Sequence, residues 1–266
     1  SLSDEDRAKG VVAYSSGNHA QGVAAAARHF GVAATIIMPE DAPEIKKANT
    51  AALGAQVITY DRYSESREEL GAKIQAETGA NLVPPYDYAP TIIGQGTTAI
   101  EVTNQLRAQG LSLDTALICC GGGGLSSGSA VVFKTSFPDA LVVAAEPETH
   151  DDTRRSLLSG EHVHNPADAR SICDAIVTPT PGELTLPLLL ACGCEGWTAS
   201  DEDVLEAVAF AATRLKLTVE PGGAIALAAA RKHLDKLKGQ TAVAYLSGGN
   251  IDPAMMNKAL TYADRV

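Results

Sequence analysis

The run Ala116-Leu117-Ile118-Cys119-Cys120-Gly121-Gly122-Gly123-Gly124-Leu125-Ser126-Ser127-Gly128 decides the fold of this chain. An apolar stretch predicts a buried strand, four consecutive glycines predict a turn, and the residues after them a helix. Glycine has no Cβ, so successive backbone N–H groups can converge on an anion, and the helix N-terminus adds partial positive charge. The stretch therefore predicts a phosphate cradle and leaves the phosphorylated ligand open. One reading is a dinucleotide, with Glu146 as the acid at the end of the next strand. The glycine that G-x-G-x-x-G would need at 126 or 127 is serine in both places. A purely structural turn is the other alternative.

On either side of this run, short apolar segments alternate with helical patterns, the signature of parallel strands joined by crossover helices. Upstream, strands are predicted at 11–14, 34–38, 56–60 and 81–83. Helices are predicted at 19–30, closed by Gly31, at 43–53, and from the pair Ser66 and Glu69 to Gly79. Arg7 to Gly10 reads as the run-in to the first strand. Three prolines between Pro84 and Pro90 predict a domain crossing. After it come a turn at Gly94-Gln95-Gly96, a helix at 97–109 and the strand entering the glycines. Further on are a strand at 141–145, an irregular stretch at 179–187 and a long helix after Ser200. Gly222-Gly223 open another helix, and 242–246 is the last strand. The organisation expected is a remnant at 1–9, a small α/β domain at 10–87 and a large cofactor-binding domain at 88–266.

The chain has 266 residues, 45% of them hydrophobic, and a formal net charge of −11. An acidic surface argues against nucleic acid and anionic membranes as partners. No apolar run reaches the length that spans a bilayer. Five cysteines without framework spacing are expected as reduced thiols in a cytoplasmic protein. Cys192-x-Cys194 lacks the second cluster that a zinc site requires, and His162-x-His164 reads as surface.

Three other segments could carry chemistry. Ser15-Ser16-Gly17-Asn18-His19 joins a strand to a helix, where serine and asparagine either cap the helix or offer a hydroxyl acid/base and an amide donor. Ser247-Gly248-Gly249-Asn250 ends the last strand, and its hydroxyl can donate to or accept from a heterocyclic nitrogen. Glu146 to Asp152 gathers four carboxylates in seven residues. That segment is either a solvated loop or a site for a hard cation such as magnesium, calcium or manganese.

Taken together, Ser15-Ser16-Gly17-Asn18-His19, Gly94-Gln95-Gly96-Thr97, Gly121 to Gly124, Glu220-Pro221-Gly222-Gly223 and Ser247-Gly248-Gly249-Asn250 resemble the serine/threonine dehydratase and serine racemase group of pyridoxal-phosphate enzymes. The resemblance runs from Val11 to about Asp252. It implies the α/β architecture of fold type II, with two open, twisted, mostly parallel sheets flanked by helices. It places the cofactor phosphate on Gly121, Gly122, Gly123 and Gly124, the ring hydroxyl on Asn18 and the pyridine nitrogen on Ser247. Ser16 matches the residue that protonates and deprotonates substrate on the face opposite the lysine. Glu146, the carbonyl of His150 and Asp152 match a divalent-cation site. Tyr86 stands where the racemases carry asparagine.

The implied activity is dehydration and deamination of L-threonine or L-serine to a 2-oxo acid and ammonia, by an enzyme expected to be a homodimer. Serine racemisation, 3-hydroxyaspartate dehydration and a noncatalytic relic that only binds the cofactor are the alternatives. In this family the lysine that holds the cofactor lies in a Ser-Phe-Lys-x-Arg-Gly-Ala type motif upstream of the first strand. No lysine here stands in such a context. The resemblance therefore implies a truncated member, inactive by itself.

Overall fold

The computed structural model describes every residue except Ser1, Ser16, Pro43 and Arg62. The chain forms two compact units, Ser1–Pro90 and Thr91–Val266.

In the first unit, helix α1 (Asp4–Lys9) leads into β1 (Val11–Tyr14). It is followed by α2 (Asn18–Phe30), β2 (Ala34–Pro39), α3 (Glu44–Ala52), β3 (Gln56–Tyr60), α4 (Arg67–Thr78) and β4 (Asn81–Leu82). The sheet order is β3-β2-β1-β4 and every pairing is parallel, with Val11 beside Ala34 on one flank and Asn81 on the other. Parallel neighbours need long crossovers, which the helices supply. The central strands bury Val12, Ala13, Ile36, Ile37 and Met38 completely.

Residues 7–10, read as a run-in, instead end α1. Ser3 caps that helix by accepting the Asp6 N–H (3.1 Å), and three acidic residues occupy its first turn. Pro43, expected near the first turn of α3, lies outside the described residues.

The second unit contains α5 (Ala89–Ala108, which starts at the end of the first unit), β5 (Thr115–Cys119), α6 (Gly124–Ser136), β6 (Leu141–Pro147), α7 (Asp152–Ser159), α8 (Thr185–Ala191), β7 (Glu195–Ala199), α9 (Asp201–Phe210), α10 (Pro221–Lys232), α11 (Leu234–Leu237), β8 (Ala242–Ala244) and α12 (Pro253–Leu260). Its sheet is also parallel throughout, in the order β7-β6-β5-β8. Every residue of β5 is buried, which is why that strand reads as an unbroken apolar run. Phe133, Leu189 and Ile225 pack in one core with Leu117 and Ile118 of this strand. Each contributes about 1.5–3 kcal/mol by leaving water.

Three features of this unit depart from the sequence reading, and the helix after Ser200 follows it. Gly94-Gln95-Gly96 is not a turn; it lies inside α5, which starts eight residues before the predicted 97. Gly96 is there for packing, since a Cβ on it would sit 2.9 Å from the Gly128 carbonyl oxygen of α6. The stretch read as irregular up to Pro187 becomes helical at Thr185, and Pro187 falls in the first turn, where its missing N–H costs nothing. Strand β7 was not predicted, because Gly196 interrupts its pattern. Arg154 of α7 packs directly over that glycine, its Cβ 2.4 Å from where a glycine Cβ would stand. The long helix after Ser200 has the predicted start, a reciprocal capping box with Asp203. It ends as a π-turn at Ala211–Leu215 closed by Lys216 in the left-handed region (φ 61°).

Candidate cofactor site

The C-terminal ends of β5, β6 and β8 deliver the glycine turn, Glu146 and the Ser247 segment to one edge of the second unit's sheet. In open parallel sheets this edge is where ligands bind.

The glycine turn is held from outside. The Gly122 carbonyl accepts the Thr185 hydroxyl (2.7 Å) and the Gly182 N–H (3.1 Å). Gly121 lies against Ile176, whose Cα would be 3.0 Å from an added Cβ. Gly123 has φ 91°, a conformation natural to glycine, and a Cβ there would meet Thr185 Oγ1 at 2.7 Å. Among the described residues, the backbone N–H groups of Gly121 through Ser126 donate to no protein acceptor. The first turn of α6 carries no acidic side chain and no side-chain cap. Gly122, Gly123 and Gly124 are buried. Buried amides without acceptors at a helix N-terminus form an anion site.

The β8 end is built against this turn. Gly223, in the first turn of α10, approaches Gly248 so closely that a Cβ would lie 2.5 Å from the Gly248 carbonyl oxygen. The Gly223 carbonyl accepts the Ser247 N–H (3.4 Å) and the Cys119 thiol (3.4 Å). Burial raises the Cys119 thiol above its ordinary value, and the Ser247 hydroxyl acts on it in the opposite sense. Ser247 itself is exposed.

Comparison with known proteins gives the family. The family model described as pyridoxal-phosphate dependent enzyme matches residues 1–248. The chain belongs to this family. It is 41% identical over 253 residues to an L-threo-3-hydroxyaspartate ammonia-lyase of Saccharomyces cerevisiae, covering 94% of this chain and 76% of that protein. It is 39% identical over 251 residues to a serine racemase of Schizosaccharomyces pombe, with the same coverage. Among solved structures, a T.th. threonine deaminase superposes with a TM-score of 0.87 at 43% identity, covering 94% of this chain and 80% of that one. Maize serine racemase gives 0.88 at 34% identity, covering 99% and 80%.

As a pyridoxal-phosphate dependent enzyme, the chain needs a dianion cradle and a partner for the pyridine nitrogen. The glycine turn fits the first need through buried amides that have no protein acceptor among the described residues, and the exposed Ser247 stands at a neighbouring strand end. Asn18 belongs to the first unit, where it is the first residue of α2. Gly17 is the N-cap there, and as a glycine it brings no side chain to the cap. The Ser15 hydroxyl accepts the Gly17 N–H (3.3 Å). Ser16 lies outside the described residues. His19 hydrogen-bonds through Nε2 to the Val83 carbonyl (3.0 Å), and burial holds its imidazole below the ordinary value. It ties the start of α2 to the end of β4.

Glu146 and Asp152 meet at the N-terminus of α7, both buried. Glu146 accepts the Thr153 N–H (2.9 Å) and the Arg154 N–H (2.8 Å), one on each carboxylate oxygen. Burial, then the charge of Asp152, pushes its carboxyl up to about 8, and burial pushes Asp152 up to about 6. Asp152 Oδ1 takes the Asn165 amide, while Oδ2 is buried with no hydrogen-bond partner among the described residues. His150 Nδ1 bonds the Thr149 hydroxyl (3.1 Å). No three His, Cys, Asp or Glu side chains are grouped to hold a metal among the described residues. No helix of the described residues is long and apolar enough to cross a membrane.

Sequence reasoning missed Arg67, the first residue of α4. Its guanidinium lies 5.3 Å from the centre of the Tyr14 ring, bonds Glu68 (2.7 Å) and acts on the Tyr86 hydroxyl. Tyr14 ends β1 directly before the Ser15–Asn18 segment, so Arg67 belongs to the same strand-end region of the first unit. The only signal in the sequence was its place at a helix start, and its neighbour Ser66 accounts for that by capping.

Proposed function

We propose that these residues are the cofactor-binding body of a pyridoxal-phosphate dependent ammonia-lyase that eliminates water from a 3-hydroxy amino acid, L-threonine or L-serine, yielding a 2-oxo acid and ammonia. The observation that carries this reading is the glycine turn, whose buried amides lack protein acceptors beside the strand end bearing Ser247. When bound, the cofactor supplies electron withdrawal from the substrate Cα. The protein's share is position and electrostatics. Amides of Gly121 to Gly124 hold the phosphate, and Ser247 meets the pyridine nitrogen through a hydroxyl that leaves the ring uncharged. Asn18 meets the ring hydroxyl. Ser16 moves a proton on the face that a racemase would use. Tyr86, where racemases of this group carry asparagine, supports elimination over racemisation. Asp152 Oδ2, buried and without a hydrogen-bond partner among the described residues, supports with Glu146 and the His150 carbonyl a magnesium, calcium or manganese site beside it.

The test uses two proteins. The 266 residues alone, titrated with pyridoxal 5′-phosphate, are expected to bind it noncovalently without turnover. A polypeptide that also carries the family's lysine motif is expected to release 2-oxo acid and ammonia from L-threonine or L-serine, and less of each after chelation of divalent cations. Failure of that second protein to eliminate water from any 3-hydroxy amino acid would refute the reading.

Arg67 favours a second substrate, 3-hydroxyaspartate, since a partly sheltered guanidinium suits an additional carboxylate. Arg67→Gln is expected to raise KM for 3-hydroxyaspartate about tenfold or more, the order of one charge-assisted hydrogen bond, while L-serine kinetics stay nearly level. Equal losses on both substrates would remove Arg67 from substrate choice.

A further inference from the structure

The glycine turn alone does not fix which way its peptide planes face. Gly122 and Gly123 have no side chains to hold them, and an unsupported polyglycine turn has many orientations available. In this protein an outside group makes the choice. The Gly122 carbonyl receives two donors, the Thr185 hydroxyl at 2.7 Å and the Gly182 N–H at 3.1 Å. Thr185 is fully buried, and its hydroxyl lies 3.2 Å from the Gly182 carbonyl as well. In a trans peptide the C=O and the following N–H point in opposite directions. Anchoring the Gly122 oxygen on the Thr185 side therefore aims the Gly123 N–H away from Thr185, where it has no protein acceptor among the described residues.

The segment 175–185 that holds Gly122 also lies against Gly121, through Ile176, and against Gly222 of α10, where Ala175 is 3.2 Å from the place of an added Cβ. His162 Nε2 hydrogen-bonds the Gly182 carbonyl (3.2 Å), so the segment is itself held from behind.

We propose that Thr185 is a positioning residue for phosphate recognition: its hydroxyl locks the Gly122–Gly123 peptide so that the Gly123 amide faces the anion. This rests on the cofactor reading above and deepens it, because it assigns the orientation of the cradle to a residue outside the glycine run. Thr185 does not touch the phosphate. Its contribution appears only in the part of the affinity that the phosphate provides.

That part is measured as the ratio of the dissociation constants of pyridoxal and pyridoxal 5′-phosphate on the same 266-residue protein. Thr185→Val keeps the shape and removes the hydroxyl; Thr185→Ser keeps the hydroxyl. The ratio is expected to fall about tenfold or more in Thr185→Val, the order of one lost buried hydrogen bond, and to stay within about threefold of the parent in Thr185→Ser. Independently of any variant, inorganic phosphate added to 15N-glycine-labelled parent protein is expected to shift the Gly123 amide proton downfield more than the amides of glycines outside the turn. The inference is overturned if Thr185→Val weakens both ligands equally, if it keeps the parent ratio, or if the Gly123 amide does not respond to phosphate. A parent protein that shows no preference for the phosphorylated ligand would overturn the cofactor reading itself and the inference with it, a result distinct from any failure of the variants.

Discussion

Gly128→Ala is expected to destabilise the second unit by at least about 3 kcal/mol, seen as a large fall in its urea midpoint with the slope unchanged. Two effects oppose each other. Alanine in place of glycine inside a helix favours folding by up to about 1 kcal/mol. The added methyl, however, would stand 2.2 Å from the Ile92 carbonyl oxygen and 2.9 Å from the Gly96 nitrogen, where α5 crosses α6. Both neighbours are backbone, so no side chain can swing aside and one helix must move. Displacement of a packed helix outweighs the propensity gain. Gly22 in α2 is the matched control, since a Cβ there meets nothing within 4 Å. Gly22→Ala is expected to stabilise slightly. An unchanged midpoint in Gly128→Ala would mean that α5 and α6 do not cross at these glycines.

Gly223→Ala is expected to cost about thirtyfold or more in pyridoxal 5′-phosphate affinity, the order of 2 kcal/mol, with a smaller loss of stability. Gly223 has an ordinary helical backbone, so strain is not the cause. The new Cβ would stand 2.5 Å from the oxygen and 2.8 Å from the nitrogen of Gly248, the residue after Ser247. The Gly223 carbonyl also receives the Ser247 N–H, so the strand end bearing Ser247, the proposed partner of the pyridine nitrogen, must shift when Gly248 is pushed away. Pyridoxal and its phosphate are expected to weaken together, with inorganic phosphate binding intact, because the glycine turn is not touched. Full ring affinity in Gly223→Ala would remove Ser247 from the cofactor's partners. Read together with Thr185→Val, the two variants separate the ring half of the site from the phosphate half.

Much of this was legible in the residues. Strands at 11–14 and 56–60 have the expected bounds, because buried parallel strands read as short apolar runs closed by turn residues. The strand, glycine turn and helix of 115–136 follow from composition alone. What misled was glycine used for contact. Gly94 and Gly96 read as a turn, but Gly96 makes room for Gly128; Gly196 broke a strand pattern because Arg154 lies over it. One residue type answers for two physical needs, φ freedom and close approach, and a linear pattern does not separate them.

The sequence by itself determined the two parallel layers and the glycine turn, since these rest on periodicity and on residues whose chemistry is local, and its motifs carried the resemblance to the family. Only the tertiary structure decided what holds those glycines in place. Thr185 bonds the Gly122 carbonyl across 63 positions, Gly248 abuts Gly223, and Glu146 accepts two N–H groups of the first turn of α7. Such contacts depend on which chain segments the fold brings together, and packing makes that choice without leaving a local mark in the sequence.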